Sequence, residues 1–192
     1  MIALRIVLLL GMLIHKLVWE LMKRREGAAP QKRKQPYEFN IKSGIKLGKG
    51  LFLVFLIIQT IFIPDLLPIT ENLTGIRIIG LSIYLIGLLI AIIGRVQLGN
   101  NWVDLEDFTV LPEQKLVNNG IYQYIRHPIY IGDAMLVIGL ELALNSWLVI
   151  LGIGLLPVIY KQALDEEAIL TKAFPEYRDY KQQTKMFVPY LV

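Results

Sequence analysis

Apolar positions along this chain fall into five runs divided by polar breaks. Residues 2–22, 47–63 and 75–96 are three runs of roughly membrane-crossing length, because a helix crosses a bilayer core in about 20 residues. Residues 129–144 and 147–160 are shorter and are separated only by Asn145-Ser146. That spacing predicts a tight antiparallel hairpin, with Pro157 kinking its second arm. The pattern predicts an all-α integral membrane protein of about five transmembrane helices, the last two forming the hairpin. Gly80, Gly87 and Gly94 recur every seven residues along the third run, which places them on one helix face and permits close approach of a neighbour. Glu141 lies inside the fourth run, about one turn from its outer end. It is either a functional intramembrane carboxylate or one that reaches water.

The polar breaks set the orientation. Lys23-Arg24-Arg25 and Lys32-Arg33-Lys34, broken by Gly27, Pro30 and Pro36, form a basic loop. No aromatic residues interleave with the basic run, so it reads as a cytoplasmic loop and not as a nucleic-acid patch. The break at 65–71 carries Asp65 and Glu71 and no Lys or Arg, as an outer loop should. The N-terminus is therefore expected outside and the C-terminus in the cytoplasm. A signal peptide competes for residues 2–22, but its positive charge would precede the apolar core, whereas here it follows. Asn72-Leu73-Thr74 fits a glycosylation sequon on the outer side, a short match of little weight. The segment 97–119 holds Asp104, Glu106, Asp107 and Glu113 and reads as a solvated loop, with Trp102 and Phe108 as interfacial anchors.

Composition narrows the chemistry. The chain has 192 residues, of which 55% are hydrophobic, and a net charge of +4; its mean hydropathy is +0.52. A soluble domain is rarely so apolar. Cysteine is absent and histidine occurs only as His15 and His127. Disulfides, a thiolate nucleophile and Cys- or His-rich metal sites are thereby excluded, and no metal is expected.

The richest stretch is Gly120-Ile121-Tyr122-Gln123-Tyr124-Ile125-Arg126-His127-Pro128-Ile129-Tyr130-Ile131-Gly132. Asn118-Asn119-Gly120 is a turn signal. Pro128 pushes His127 out of the α region and suits the first position of a helix. Arg126 and His127 then stand at a helix N-terminus, where anions are favoured. The bland reading is a basic stop at the membrane boundary, with both side chains reaching for lipid phosphates. The fifth run continues into Lys161-Gln162-Ala163-Leu164-Asp165-Glu166-Glu167, so the hairpin should carry Glu166 and Glu167 back toward Arg126 and His127. The tail 174–192, with Tyr177, Tyr180, Phe187 and Tyr190, reads as an interfacial helix that closes a cytosolic-side pocket, or as a simple amphipathic anchor.

The strings Gly120-Ile121-Tyr122, Arg126-His127-Pro128-Ile129-Tyr130-Ile131-Gly132, Glu166-Glu167 and Phe174-Pro175-Glu176-Tyr177-Arg178-Asp179-Tyr180 closely resemble the isoprenylcysteine carboxyl methyltransferase family. That family lies in a wider group with phospholipid N-methyltransferases. The resemblance covers roughly 111–190, and the short chain is similar to prokaryotic members. It implies a three-span anchor over 1–96 and a catalytic region over 97–192. It implies S-adenosylmethionine as cofactor, S-adenosylhomocysteine as product, and a lipophilic carboxylate substrate entering from the bilayer. No nucleic acid and no obligate protein partner are implied. By the same resemblance Gln114, Lys115, Leu116, Val117, Tyr122, His127, Pro128, Ile129, Tyr130, Glu166 and Glu167 contact the cofactor. Arg126 and Glu167 are the catalytic candidates, Arg126 to orient the substrate carboxylate. Longer members carry an arginine where this chain has Gln162, which bears on substrate identity. The alternatives are an amine N-methyltransferase, which needs a base, an NADPH-dependent membrane reductase, and a membrane protein with a degenerate site.

Overall fold

The protein is described by a computed structural model for residues 2–26, 41–71, 73–102 and 114–189. Lys32-Arg33-Lys34, Asn72, Asp104, Glu106, Asp107, Phe108, Glu113 and Tyr190, singled out above, lie outside those residues. Seven α-helices are seen in the described residues: α1 (Ile2–Glu26), α2 (Ile41–Phe62), α3 (Leu73–Leu98), α4 (Pro128–Ala143), α5 (Val149–Gly154), α6 (Leu156–Ala173) and α7 (Tyr177–Gln183). Among them α1 and α3 are the two long and apolar enough, on length and composition alone, to cross a membrane. The only β pairings described are isolated bridges.

The first, third and fourth apolar runs become α1, α3 and α4 almost as expected. Helix α2 starts six residues before its apolar run, at Ile41, because the Lys- and Gly-bearing segment ahead of Leu47 continues the helix. The hairpin's second arm is divided. It breaks at Leu155, and Pro157 sits in the first turn of α6, where a missing N–H costs least.

Helices α3 and α4 are joined along a seam of glycines. A Cβ at Gly80 would lie 2.2 Å from the Ala143 backbone nitrogen, and one at Gly139 would lie 2.3 Å from that of Tyr84. Gly87 faces Gly132 and Met135, and Gly132 faces Ala91. Backbone therefore packs on backbone, the expected result of small residues at a helix crossing. Leu8, Leu56, Tyr84, Leu140, Ala143 and Leu144 form the buried cluster beside this seam, bringing α1 and α2 onto the pair. Tyr84 donates its hydroxyl to the Leu8 carbonyl at 2.7 Å.

Polar contacts tie the end where α4 turns into α5. Asn145 takes a positive φ of 57° at the turn. Its side chain accepts from the Thr70 N–H at 3.2 Å and donates to the Thr70 carbonyl at 2.9 Å. Arg77 donates to the Ala143 carbonyl at 3.1 Å and pairs with Asp65. Glu141 does not reach water: it is 2% exposed and accepts from Gln59 Nε2 at 2.9 Å. The neighbouring helix α2 supplies that partner, which a reading of α4 alone misses.

The seam predicts a sharp contrast between glycines. Gly139→Leu must displace the α3 backbone and should destabilise the detergent-solubilised protein by about 2 kcal/mol or more. Gly50→Ala, with nothing within 4 Å of its Cβ, should leave the melting temperature unchanged or slightly raised, since Ala suits a helix interior better than Gly. Equal melting of the two variants would contradict the seam.

Candidate functional site

The local backbone follows from three residues. Gly120 takes a φ of +59° and opens a short 3-10 turn, Gly120–Gln123. A side chain there would strike Gln97, whose Oε1 accepts from the Ile121 N–H at 2.8 Å. His127 adopts φ −123° and ψ 58° and caps α4, with Pro128 in the first turn. Arg126 and His127 therefore precede the α4 N-terminus as the sequence pattern requires.

The expected C-terminal helix is shorter than its apolar pattern implied. Among its described residues only Tyr177–Gln183 is helical; Thr184 is already extended. The chain then runs beside 124–127: Lys185 donates its N–H to the Tyr124 carbonyl at 3.2 Å. The Arg126 and His127 N–H groups donate to the Lys185 and Met186 carbonyls at 2.8 and 3.1 Å. This strap satisfies backbone groups that the chain ahead of Pro128 cannot pair within a helix.

Side chains lock the same junction. Arg126 Nε donates to Glu167 Oε1 at 2.6 Å, and its Nη1 donates to the carbonyls of Thr184 and, at 3.3 Å, Lys181. Nη2 donates to no described residue. His127 Nε2 lies 3.3 Å from Glu167 Oε1, and Lys181 Nζ lies 2.6 Å from Glu167 Oε2. The Glu167 side chain is 2% exposed, and that of Arg126 is 7% exposed. Burial alone would raise the Glu167 pKa, but hydrogen bonds from His127, Lys181 and Arg126 outweigh it and hold the group at about 2.

Glu166 is placed differently. It accepts from the Tyr130 hydroxyl at 2.8 Å, lies 3.7 Å from His127 Nδ1 and keeps 39% of its side chain exposed. The His127 and Tyr130 rings stack 5.2 Å apart at 6°. Buried Tyr122 donates to the Gly94 carbonyl at 3.2 Å, and Tyr180 donates to the Tyr122 carbonyl at 2.7 Å. Burial pushes the Tyr122, Tyr177 and Tyr180 phenols up from their ordinary values, so all three remain neutral donors.

These groups border an open cleft. Gln114, Lys115, Leu116 and Val117 line one side, and Tyr122 with 126–130 lines another. Glu166 completes the set, so every expected site residue except Glu167 lines this cleft; Glu167 sits behind it, holding Arg126. Sequence reading placed Phe174, Tyr177 and Tyr180 in a closing tail, but missed Leu98, Asn101, Ile169 and Leu170 as lining residues, and missed Trp102 except as an anchor. Helical spacing could have found Ile169 and Leu170, which lie three and four residues after Glu166 on one face. Asn101 carries a positional role: its Oδ1 accepts from the Lys115 N–H at 2.7 Å, and its carbonyl accepts from Gln114 at 3.2 Å.

Comparison with known proteins decides the family. A profile of the phospholipid methyltransferase family matches residues 76–177. The chain belongs to that family. The match begins in α3 and ends at the first residue of α7. Among curated relatives, protein-S-isoprenylcysteine O-methyltransferase of Xenopus laevis is 27% identical over 137 residues, covering 70% of this chain and 46% of the relative. The Tribolium castaneum protein of the same name is 28% identical over 137 residues, covering 70% and 47%. The chain thus spans about half the length of these relatives. The fold is similar to that of the eukaryotic intramembrane Ras methyltransferase (isoprenylcysteine carboxyl methyltransferase). That likeness has a TM-score of 0.62 and 22% identity, and covers 98% of this chain and 68% of that one.

The buried carboxylate sets a prediction for this phospholipid methyltransferase-family chain. Its pKa is lower folded than the ordinary 4.5, so its stabilisation is full above about pH 4.5 and is lost as pH falls toward 2. A depression of that size corresponds to about 3 kcal/mol. Glu167→Gln should remove a comparable amount at neutral pH, read as faster hydrogen exchange at the Arg126 and His127 N–H groups. Unchanged protection in that variant would contradict the strap.

Proposed function

We propose that the protein is an S-adenosylmethionine-dependent methyltransferase acting on the C-terminal carboxylate of an isoprenylcysteine-like lipophilic substrate. The observation that carries this reading is the convergence of 114–117, Tyr122 and 127–130, from one stretch, and Glu166, from α6, on one cleft. About five helices cross the membrane, with the N-terminus outside, the C-terminus in the cytoplasm and the cleft at the cytoplasmic side. The 1–96 segment anchors the chain and 97–192 supplies most of the site.

The lining fits the cofactor. Glu166 offers an accessible carboxylate for the ammonium of its amino-acid end. His127 at the α4 N-terminus suits the cofactor's own carboxylate. Leu116, Val117, Ile129 and Leu170 supply apolar walls for the remainder. When bound, the cofactor supplies an electrophilic methyl group on sulfonium.

The protein's own contribution is positioning. Methylation of a carboxylate joins opposite charges that cancel, which is favoured where water is excluded. A carboxylate is already ionised at neutral pH, so no base is required. Arg126 orients the acceptor through Nη2, its Nε and Nη1 being committed to Glu167 and Thr184. Glu167 acts by fixing that guanidinium, and the strap holds Tyr177 and Tyr180 at the cleft wall. A fixed acceptor gains the advantage of proximity. The prenyl tail stays in the bilayer and enters between helices.

Amine methylation is the second reading, favoured by the half-exposed Glu166, which can take a proton from an ammonium acceptor. Transfer of labelled methyl from the cofactor to N-acetyl-farnesylcysteine, against phosphatidylethanolamine, separates the two. The carboxylate reading expects transfer to the former, with a rate nearly independent of pH around neutrality. Transfer to the amine alone, rising with pH, would overturn it. Arg126→Ala, His127→Ala and Glu167→Ala should each lower turnover at least about tenfold, and unchanged turnover in all three would refute the assigned roles.

A further inference from the structure

We propose that α1 is a working part of the cofactor cleft, because Asp133 and His15 hold Trp19 where it sets the position of Trp102. This rests on the reading of the cleft as a site for S-adenosylmethionine. His15 Nε2 of α1 and Asp133 Oδ1 of α4 lie 3.0 Å apart, across 118 positions of sequence. Both belong to apolar runs, where an unpaired ionisable group is costly and a partner is required. The His15 ring stacks on Trp19, one helical turn further on, with centroids 4.0 Å apart at 24°. Trp19 in turn meets Trp102 edge to face at 6.2 Å and 81°. The Arg95 guanidinium sits 5.0 Å from the centre of the Trp102 ring. Trp102 lines the cleft beside Asn101, Gln114 and Lys115.

The contacts form a continuous series from Asp133 through His15 and Trp19 to the cleft wall. An ion pair that only docked α1 onto α4 would need neither tryptophan. An indole braced by contacts with Trp19 and Arg95 is a pre-set aromatic surface, the kind that a nucleoside base stacks on. Trp19, His15 and Asp133 are not among the residues that line the cleft, so they are positioning residues that act through Trp102. The series also accounts for a histidine and an acid that methyl transfer to a carboxylate does not use.

The test uses the full chain in detergent, labelled with 5-fluorotryptophan. The three tryptophans, Trp19, Trp102 and Trp147, give three fluorine signals assigned by single Phe substitutions. His15→Ala and Asp133→Ala should shift or broaden the Trp102 signal and leave Trp147 unchanged; His15→Gln, which keeps a hydrogen-bond partner for Asp133 but no ring against Trp19, should restore it only in part. S-adenosylhomocysteine should bind about fivefold more weakly to Trp19→Ala and His15→Ala, and within about twofold of wild type to Trp19→Phe. A Trp102 signal indifferent to His15→Ala and Asp133→Ala, or unchanged affinity in Trp19→Ala, would overturn the proposal. Should His15→Ala fail to fold, Asp133→Ala and Trp19→Ala carry the same comparison. Wild-type protein that binds no S-adenosylhomocysteine would sink the cofactor reading instead, and the Trp102 signal would then decide the positioning claim by itself.

Discussion

Glu167 carries a negative charge where water hardly reaches, and it is kept there by Arg126, His127 and Lys181. A lone buried carboxylate would be strongly disfavoured; one met by several donors is held ionised. Those partners come from two separate parts of the chain. Arg126 and His127 lead into α4, Glu167 belongs to α6 and Lys181 to α7. One charge therefore joins the entry of the hairpin, its return and the terminal strap. Removing it would leave a buried guanidinium without its anion, which is why the site and the closure of the chain over it depend on the same group.

The adjacent carboxylate is free for other work because Glu167 is not. Successive helical residues point about 100° apart, so Glu166 faces the cleft while Glu167 faces the junction. The glycine seam makes this division useful. Backbone contact between α3 and α4 brings Gly94 against Pro128 and Ile129, fixing the depth at which the α4 N-terminus lies. Tyr122, bonded to the Gly94 carbonyl, then ties the preceding turn to α3. Cleft geometry is thus set by helix packing, with loop residues such as Asn101 adjusting the rim.

Much of this was legible in the chain itself. Length and apolarity mark α1, α3 and α4, since hydrophobic runs of that kind have few other folds available. Pro157 announced the break between α5 and α6, and the Asn-Gly turn with His127-Pro128 announced the α4 entry. The return of Glu166 and Glu167 to Arg126 followed from the two-residue turn of the hairpin. Tertiary partners were not legible. Glu141 looked able to reach water because Gln59 lies 82 positions away. The tail read as one interfacial helix because its aromatic residues stand among charges, yet after Gln183 the unpaired groups of 124–127 recruit it as an extended strap. Helix α1 read as anchor alone, since nothing local links His15 to Asp133.

Binding decides the central claim, that this cleft is built for a sulfonium cofactor behind a strapped C-terminus. The direct measurement is calorimetric titration of the detergent-purified protein with S-adenosylhomocysteine, with NADPH as the comparison. The account predicts binding in roughly the micromolar range for the former, lost in His127→Ala, and none for the latter. Binding of NADPH without S-adenosylhomocysteine would contradict it and make the cleft that of a reductase.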